Sequence, residues 1–358
     1  MILESPLNDE HISLGARLTE FGGWNMPLQY SSVLAEHRAV RESAGLFDVS
    51  HLGKISITGP DASRALDGIL PGKVEGLAVG QAGYNLVLNE DGGIIDDIFV
   101  YRLPDEMLVV PNAANTNAVM GFLQDNLRGD LTILDVRERF AIIALSGPRV
   151  RDLIEPLVPS LANLKLHRFL QTAFEDRPAL LARTGYTGEF TYEFFVSWQD
   201  SVPVWRRLLE LASSVGGIAA GLGARDTLRL EMGYPLHGHE IDEHTDPLEA
   251  GMDWVIDWDK EFIGRPALES TRAKGRDRAL VGLVAKGREI PRTGYALMKD
   301  GAKVGELASG NISPVLGRGI AMGYVPPDLA EPGTMLTVDV RGKTLEVEVT
   351  KPPFIKKR

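Results

Sequence analysis

Two adjacent carboxylates, Asp96 and Asp97, interrupt the otherwise apolar run Gly92-Gly93-Ile94-Ile95-Asp96-Asp97-Ile98-Phe99-Val100-Tyr101. Its Ile, Val and aromatic content predicts a strand. Neighbours on a strand point to opposite faces, so one carboxylate faces solvent and the other faces inward. A carboxylate inside an apolar strand is costly unless it is hydrogen-bonded or paired. The inward one is therefore either satisfied by backbone amides or held ready for a substrate nitrogen. Three further groupings could do chemistry. A Gly-rich turn brings Tyr186 near a strand carrying Glu193, although alternation alone favours an exposed Glu there. Arg225 and Arg229 share a helical face, with Asp226 at the i,i+3 spacing from Arg229; the pattern suits a surface ion-pair ladder. His237-Gly238-His239-Glu240, with His244 beyond, has paired imidazoles, but the spacing fits no helix-borne zinc motif, and no metal site is expected.

The elements that must position these residues are legible in outline. Tyr84 to Leu88 alternates as a strand, and Asn89-Glu90-Asp91-Gly92-Gly93 has the residues of a tight turn, so the carboxylate strand is the second arm of a hairpin. Ser31 or Ser32 caps a helix ending at Gly45. Lys54 to Thr58 is a strand broken by Gly59-Pro60, followed by a helix with Ala62, Ala65, Leu66, Ile69 and Leu70 on one face. The pattern returns at Phe140 to Leu145, Gly147-Pro148 and a helix lined by Val150, Leu153, Ile154 and Leu157. This echo predicts two related subdomains. Between the copies lie a strand at Met107 to Val110 and a helix capped by Asn112 or Asn115. Strands at Ala179 to Arg183 and Thr191 to Val196 follow, then helices around Val204 to Ala212 and Ala224 to Met232. After a charged linker, Ser270 to Arg278, short strands recur between turns at Lys299-Asp300-Gly301, Ser309-Gly310-Asn311 and Arg341-Gly342-Lys343. That region reads as an all-β barrel or sandwich.

Composition narrows the function classes. The 358 residues call for more than one domain. A net charge of −11 argues against a nucleic-acid backbone as partner, and the basic tip Lys356-Lys357-Arg358 reads as a solvated tail. The absence of cysteine removes disulfides, iron–sulfur clusters and thiol nucleophiles, and fits a reducing cytoplasm. Met1 to Pro6 lacks the features of a signal peptide, and no apolar run reaches membrane-spanning length. No P-loop, dinucleotide-binding turn or nucleophile elbow is present.

Several motifs in order resemble one family. Phe21-Gly22-Gly23-Trp24-Asn25-Met26-Pro27, Phe47-Asp48-Val49-Ser50-His51-Leu52-Gly53, Asn89 to Asp97, Asn112-Ala113-Ala114-Asn115, Arg183 to Glu189, Gly221 to Glu231, Ser309 to Pro314 and Lys351-Pro352-Pro353-Phe354 look like the T-protein of the glycine cleavage system, an aminomethyltransferase. The resemblance implies an α+β fold: a folate-binding region of two interlocked antiparallel α+β subdomains, residues 1–273 with boundaries near 53 and 138, plus a C-terminal β-barrel at 274–358. A cytoplasmic monomer is expected. The enzyme would take the aminomethyl group from the lipoyl arm of H-protein, release ammonia and leave the methylene on tetrahydrofolate. The catalytic carboxylate would be Asp97. Pterin and folate contacts would fall on Tyr84, Tyr101, Asn112, Tyr186, Glu193, Arg225 and Tyr234.

A carboxylate beside a folate nitrogen orients it and offsets developing positive charge. On the same resemblance a second one, Glu193, would pair with the donor-rich pterin edge, aromatics would cover the ring faces, and Arg225 would meet an anionic group. The chain departs from the family pattern at Leu52, Pro111, Ser146, Ala308 and Thr191-Tyr192. Pro111 requires an unpaired amide, hence an edge or a strand end. The competing readings are a folate-dependent demethylase of a small methylated compound, a non-catalytic folate-binding paralogue, and a fragment of a flavin-linked enzyme. The second usually carries a Lys-Gly-Cys-type motif, which a cysteine-free chain lacks.

Overall fold

The computed structural model describes residues 2–287, 289–340 and 342–356, so Arg341 of the third predicted turn and Lys357-Arg358 of the basic tip lie outside the described residues. Its contacts divide the chain into two compact units. One comprises Met1–Val87 and Asp97–Arg225, the other Leu88–Asp96 and Asp226–Arg358.

The first unit holds a six-stranded sheet in the spatial order Phe169–Phe174, Arg177–Ala182, Thr191–Ser197, Phe140–Ser146, Gly45–Asp48, Ile218–Ala219. Its pairings are antiparallel except the last, which is parallel. Alternation sorts its faces. Tyr192, Phe194 and Val196 join Ile143, Leu145 and Leu181 in a core closed by Val204, Trp205, Leu208 and Ala212 of the helix Ser201–Ser213. The opposite face receives Thr191, Glu193 and Phe195. A five-stranded sheet has the order Gln81–Leu88, Ile94–Arg102, Glu106–Val110, Ile55–Thr58, Thr132–Asp135. Each copy of the Gly-Pro echo feeds one sheet, and Gly59 and Gly147 both have positive φ. The helices that follow, Ala62–Asp67 and Val150–Ile154, are shorter than the apolar spacing predicts, and Leu157 is exposed.

Ser32 caps the helix Val33–Glu42 by accepting from the Ala35 amide, as expected. That helix stops at Ser43 rather than Gly45, because Gly45 already pairs with Ser146 in the sheet. Pro111 follows the last residue of the strand Glu106–Val110, the strand end that its missing N–H requires.

In the second unit six strands close a barrel: Ala279–Ala285, Arg318–Val325, Ala302–Ser313, Ala296–Lys299, Met335–Val340 and Lys343–Thr350. Leu283, Leu297, Leu307, Val338 and Val347 fill it. Two expectations need correction here. The first part of the predicted linker is helical: the helix Arg265–Lys274 carries Arg272 and Lys274 in its last turn, where cations suit the helix dipole. Ser309-Gly310-Asn311 is not a turn but lies within the strand Ala302–Ser313, beside a register shift between Leu307 and Ser309. Glycine is needed at 310 for close approach, since a Cβ there would sit 2.6 Å from the Pro291 carbonyl oxygen.

Candidate active site

The hairpin turn is built as its residues predict. The Asn89 amide donates to the Gly93 carbonyl at 2.9 Å, the Gly93 amide donates to Asn89 Oδ1 at 2.8 Å, and Gly92 adopts φ 84°. The two carboxylates that follow do face opposite ways. Asp96 is fully buried, whereas Asp97 is partly accessible. The expected division into an open and an inward carboxylate holds, with Asp96 the inward one, so Asp97, the carboxylate the family resemblance assigns to catalysis, lies on the more open face.

Asp97 shares its face with Phe99 and Tyr101, each two residues further along the strand. Tyr84 Oη donates to Asp97 Oδ2 at 3.0 Å, and Asn112 Nδ2 donates to Oδ1 at 2.9 Å. Asn112 precedes a short 3-10 turn, Ala113–Asn115, leading into the helix Thr116–Asn126, and its side chain makes no cap hydrogen bond there. Asn115 makes no cap hydrogen bond either. The predicted cap is instead a side chain that fixes the carboxylate. The Tyr84 and Phe99 rings meet edge to face at 5.5 Å, and Phe99 lies 6.1 Å from Tyr101.

Glu193 is buried, not the exposed residue that alternation favours. Its cross-strand neighbours are Ala144 and Ala182, whose short side chains leave space beside it. Thr184 Oγ1 donates to Glu193 Oε2, and Tyr101 Oη lies 3.2 Å from the same Thr184 oxygen. The single hydroxyl proton of Thr184 goes to Glu193, so Tyr101 donates to Thr184. Burial raises the Glu193 pKa, against the pull of Thr184 and the Arg225 cation. Burial and then Glu193 push the Tyr101 phenol well up, so it stays protonated. Half-buried Arg225 stacks over Tyr186, its guanidinium 4.8 Å from the ring centroid. Burial lowers the Arg225 pKa while Glu193 and Tyr186 raise it.

The first unit thus brings together Tyr84, Asp97, Tyr101, Asn112, Tyr186, Glu193 and Arg225. Tyr234 belongs to the second unit, where its amide donates to the Arg229 carbonyl and its carbonyl accepts from the Arg229 side chain. Arg229 is no rung of a surface ladder. It is buried and bonds Asp226, Glu240 and Ser309. The imidazoles of His237 and His239 lie against the backbone carbonyls of Ile94 and Ala308 at 3.2 Å each. Among the described residues no group of three or more His, Asp or Glu is placed to hold a metal.

Models of two domains match the chain: the GCVT N-terminal domain over residues 7–260 and the glycine cleavage T-protein C-terminal barrel domain over 278–356. The chain belongs to the glycine cleavage T-protein family. It is 45% identical to an aminomethyltransferase of Halothermothrix orenii, covering 98% of this chain and 99% of that one. It is 44% identical to one of Cutibacterium acnes, covering 99% and 98%. The fold matches the crystal structure of glycine cleavage system aminomethyltransferase T from Bartonella henselae, with a TM-score of 0.93, 31% identity, and coverage of 100% and 99%.

Sequence reading missed three features of this T-protein family member. Thr184, which links Tyr101 to Glu193, sits in a turn motif with nothing to mark its role. Asp48 is buried beside His11 at 2.9 Å and Ser5, and accepts from the Ser50 amide; burial pushes its pKa up, but the hydrogen bond and charge of His11 and the side chains of Ser5 and Ser50 outweigh it and hold the pKa at about 2. Lys54 is buried in the same unit, donating to the Ser50 carbonyl at 2.7 Å and the Arg137 carbonyl at 3.2 Å. Burial lowers its pKa from 10.5 to about 7, with Asp48 acting in the opposite direction.

The Lys54 shift has a defined sign. Between pH 7 and the ordinary lysine value the unfolded chain binds a proton that the folded chain does not, so stability rises with pH across that window and is lost as pH falls through about 7. Denaturant midpoints at pH 7 and pH 9 should therefore climb more in the wild type than in Lys54→Met. Equal slopes would place a normal ammonium at Lys54.

Proposed function

We propose that this chain is the aminomethyltransferase of a glycine cleavage system. In this reading it moves the methylene of the aminomethyl group on the lipoyl arm of H-protein to tetrahydrofolate, with release of ammonia. The observation that carries the site assignment is one aromatic face with a fixed carboxylate at each end. Asp97 is held by Tyr84 and Asn112; Glu193 is held by Thr184 and flanked by two alanines. The residues suit a reduced pterin: Glu193 accepts from the amino-pyrimidine edge, Tyr84, Phe99 and Tyr101 offer ring faces, and Asp97 is the acceptor for a nitrogen that becomes positive. Tetrahydrofolate supplies the nucleophilic nitrogens that receive the carbon. Asp97 orients one of them and stabilises its charge, and Arg225 provides a cation near the buried carboxylate.

Asp97 is the catalytic residue of this reading; Tyr84, Tyr101, Asn112, Tyr186, Glu193, Arg225 and Tyr234 are its folate contacts. A division at 1–273 and 274–358 belongs to it too, supported by the two domain matches. So does a cytoplasmic monomer; among the described residues no helix is long and apolar enough to cross a membrane.

Tetrahydrofolate should stabilise the protein by mass action, about 2.7 kcal/mol at a hundredfold excess over Kd. A melting curve indifferent to saturating tetrahydrofolate would end this reading. Turnover is assayed as ammonia and methylenetetrahydrofolate formed from aminomethylated H-protein, with small methylated amines as the comparison donors.

Glu193→Gln should raise the KM for tetrahydrofolate and leave kcat nearly unchanged, because a contact to the pterin edge is made equally in ground and transition states. A normal KM with a collapsed kcat would exchange the roles of Glu193 and Asp97.

A further inference from the structure

His167 was not among the residues singled out by sequence, yet it lies on the same aromatic face. Its ring meets Phe99 edge to face at 5.6 Å, and Phe99 in turn touches Tyr84 and Tyr101. Two residues on, Phe169 packs against Tyr101 at 5.6 Å, and the backbone of the segment bridges the start of the neighbouring strand Gln81–Leu88 through Arg168 and Gln81. The backbone of His167 is in the left-handed region, with φ 59°. A side chain is uncommon there and has to be held in place. Here the holding is done from both sides: the His167 amide donates to the Arg183 carbonyl at 3.0 Å, and the His167 carbonyl accepts from the Ala82 amide at 2.9 Å. The ring itself is half-buried, and among the described residues neither of its nitrogens has a hydrogen-bond partner.

We propose that His167 is a further binding residue, hydrogen-bonding the pterin head of tetrahydrofolate between its Glu193 and Asp97 ends. This rests on the folate reading given above. The position follows from the strand: Asp97, Phe99 and Tyr101 are successive residues on one face, Tyr101 reaches Glu193 through Thr184, and His167 stands at the level of Phe99. The reduced pterin carries ring N–H groups and a carbonyl, and a neutral imidazole offers one donor and one acceptor. Burial lowers the His167 pKa and no charged neighbour contributes, so the ring is neutral at pH 7. The pinned backbone fixes the direction of the ring before the ligand arrives, which reduces the ordering cost of the contact.

The test compares His167→Phe, which keeps the ring contact with Phe99 and loses both nitrogens, with His167→Asn, which keeps a donor and an acceptor on a residue that tolerates positive φ. Calorimetric titration with tetrahydrofolate and with a tail-less tetrahydropterin reads the affinity, and the aminomethyl-H-protein assay reads kcat. His167→Phe should weaken both ligands by the same factor, about 3- to 10-fold, with kcat within about twofold of wild type. His167→Asn should recover most of the loss. The inference is overturned if His167→Phe binds both ligands normally, if only tetrahydrofolate is weakened, or if His167→Asn is no better than His167→Phe. Glu193→Gln is measured alongside. Should it weaken both ligands while His167→Phe does not, only the inference about His167 falls. Should neither variant weaken either ligand, the folate reading falls with it.

Discussion

Asp97→Asn should lose aminomethyl transfer by ~10²–10⁴ in rate while the protein keeps its fold and its affinity for tetrahydrofolate. The amide is nearly isosteric, so the volume beside Phe99 is unchanged. The charge is what goes, together with acceptor capacity. Asp97 now accepts from Tyr84 at 3.0 Å and from Asn112 at 2.9 Å. An amide facing two donors satisfies at most one through its oxygen, and Tyr84 must turn its hydroxyl to accept instead. The loss should appear in kcat and kcat/KM together, the mark of an interaction made in the transition state. Asp96→Asn is the internal control, since Asp96 is on the other face and fully buried. Its effect should fall on stability, roughly 1–3 kcal/mol if a buried hydrogen-bonding group is left unmatched, with kcat per folded molecule near wild type. The measurements are product formation and denaturant unfolding on the same samples. An active Asp97→Asn, or an Asp96→Asn that folds normally and is dead, would refute the assignment of faces and roles.

How much of this was legible differs by the range of the interaction. The hairpin, the Gly-Pro echo and the Ser32 cap depend on residues a few positions apart, and spacing exposes them. Alternation correctly separated Asp96 from Asp97, but could not say which face of the sheet would be open, because that depends on what packs behind it. Glu193 shows the same limit. One strand suggests an exposed Glu; a six-stranded sheet with Ala144 and Ala182 on either side makes it a buried one. Ser309-Gly310-Asn311 has turn composition, yet its glycine serves a backbone approach by Pro291, a neighbour that no local pattern identifies. Nothing local in the sequence marks Lys54 and Asp48 as buried charges, since their partners are in part hydroxyls and main-chain groups scattered along the chain. Thr184 and His167 were hidden for the same reason, and local spacing offered Asn112 only as a helix cap, because its hold on Asp97 spans distant parts of the chain.

The second large effect belongs to Arg229 in the barrel-containing unit. Its guanidinium is 1% exposed and is bonded on every side. Nε donates to Asp226 Oδ1 at 2.9 Å, Nη1 to Glu240 Oε2 at 2.9 Å and to the Tyr234 carbonyl at 3.1 Å, and Nη2 to Ser309 Oγ at 2.7 Å. Glu240 is wholly buried, and its Oε1 has no hydrogen-bond partner among the described residues. Arg229→Met fills the space but leaves the Glu240 charge without its cation. Removing one member of a buried pair costs about 3–5 kcal/mol, far more than the i,i+3 contact with Asp226 alone would suggest. Adding Glu240→Gln to Arg229→Met removes the stranded charge, so the double variant should be more stable than Arg229→Met despite carrying two changes. Lys at 229 is a poor substitute, because one ammonium cannot reproduce the planar fork that meets Asp226, Glu240 and Ser309 together. Denaturant unfolding of the two single variants and the double closes the cycle. If Arg229→Met lies within about 1 kcal/mol of wild type, or the double variant is the least stable of the set, Glu240 is not held by Arg229 as a charge, and the cluster is a set of ordinary hydrogen bonds.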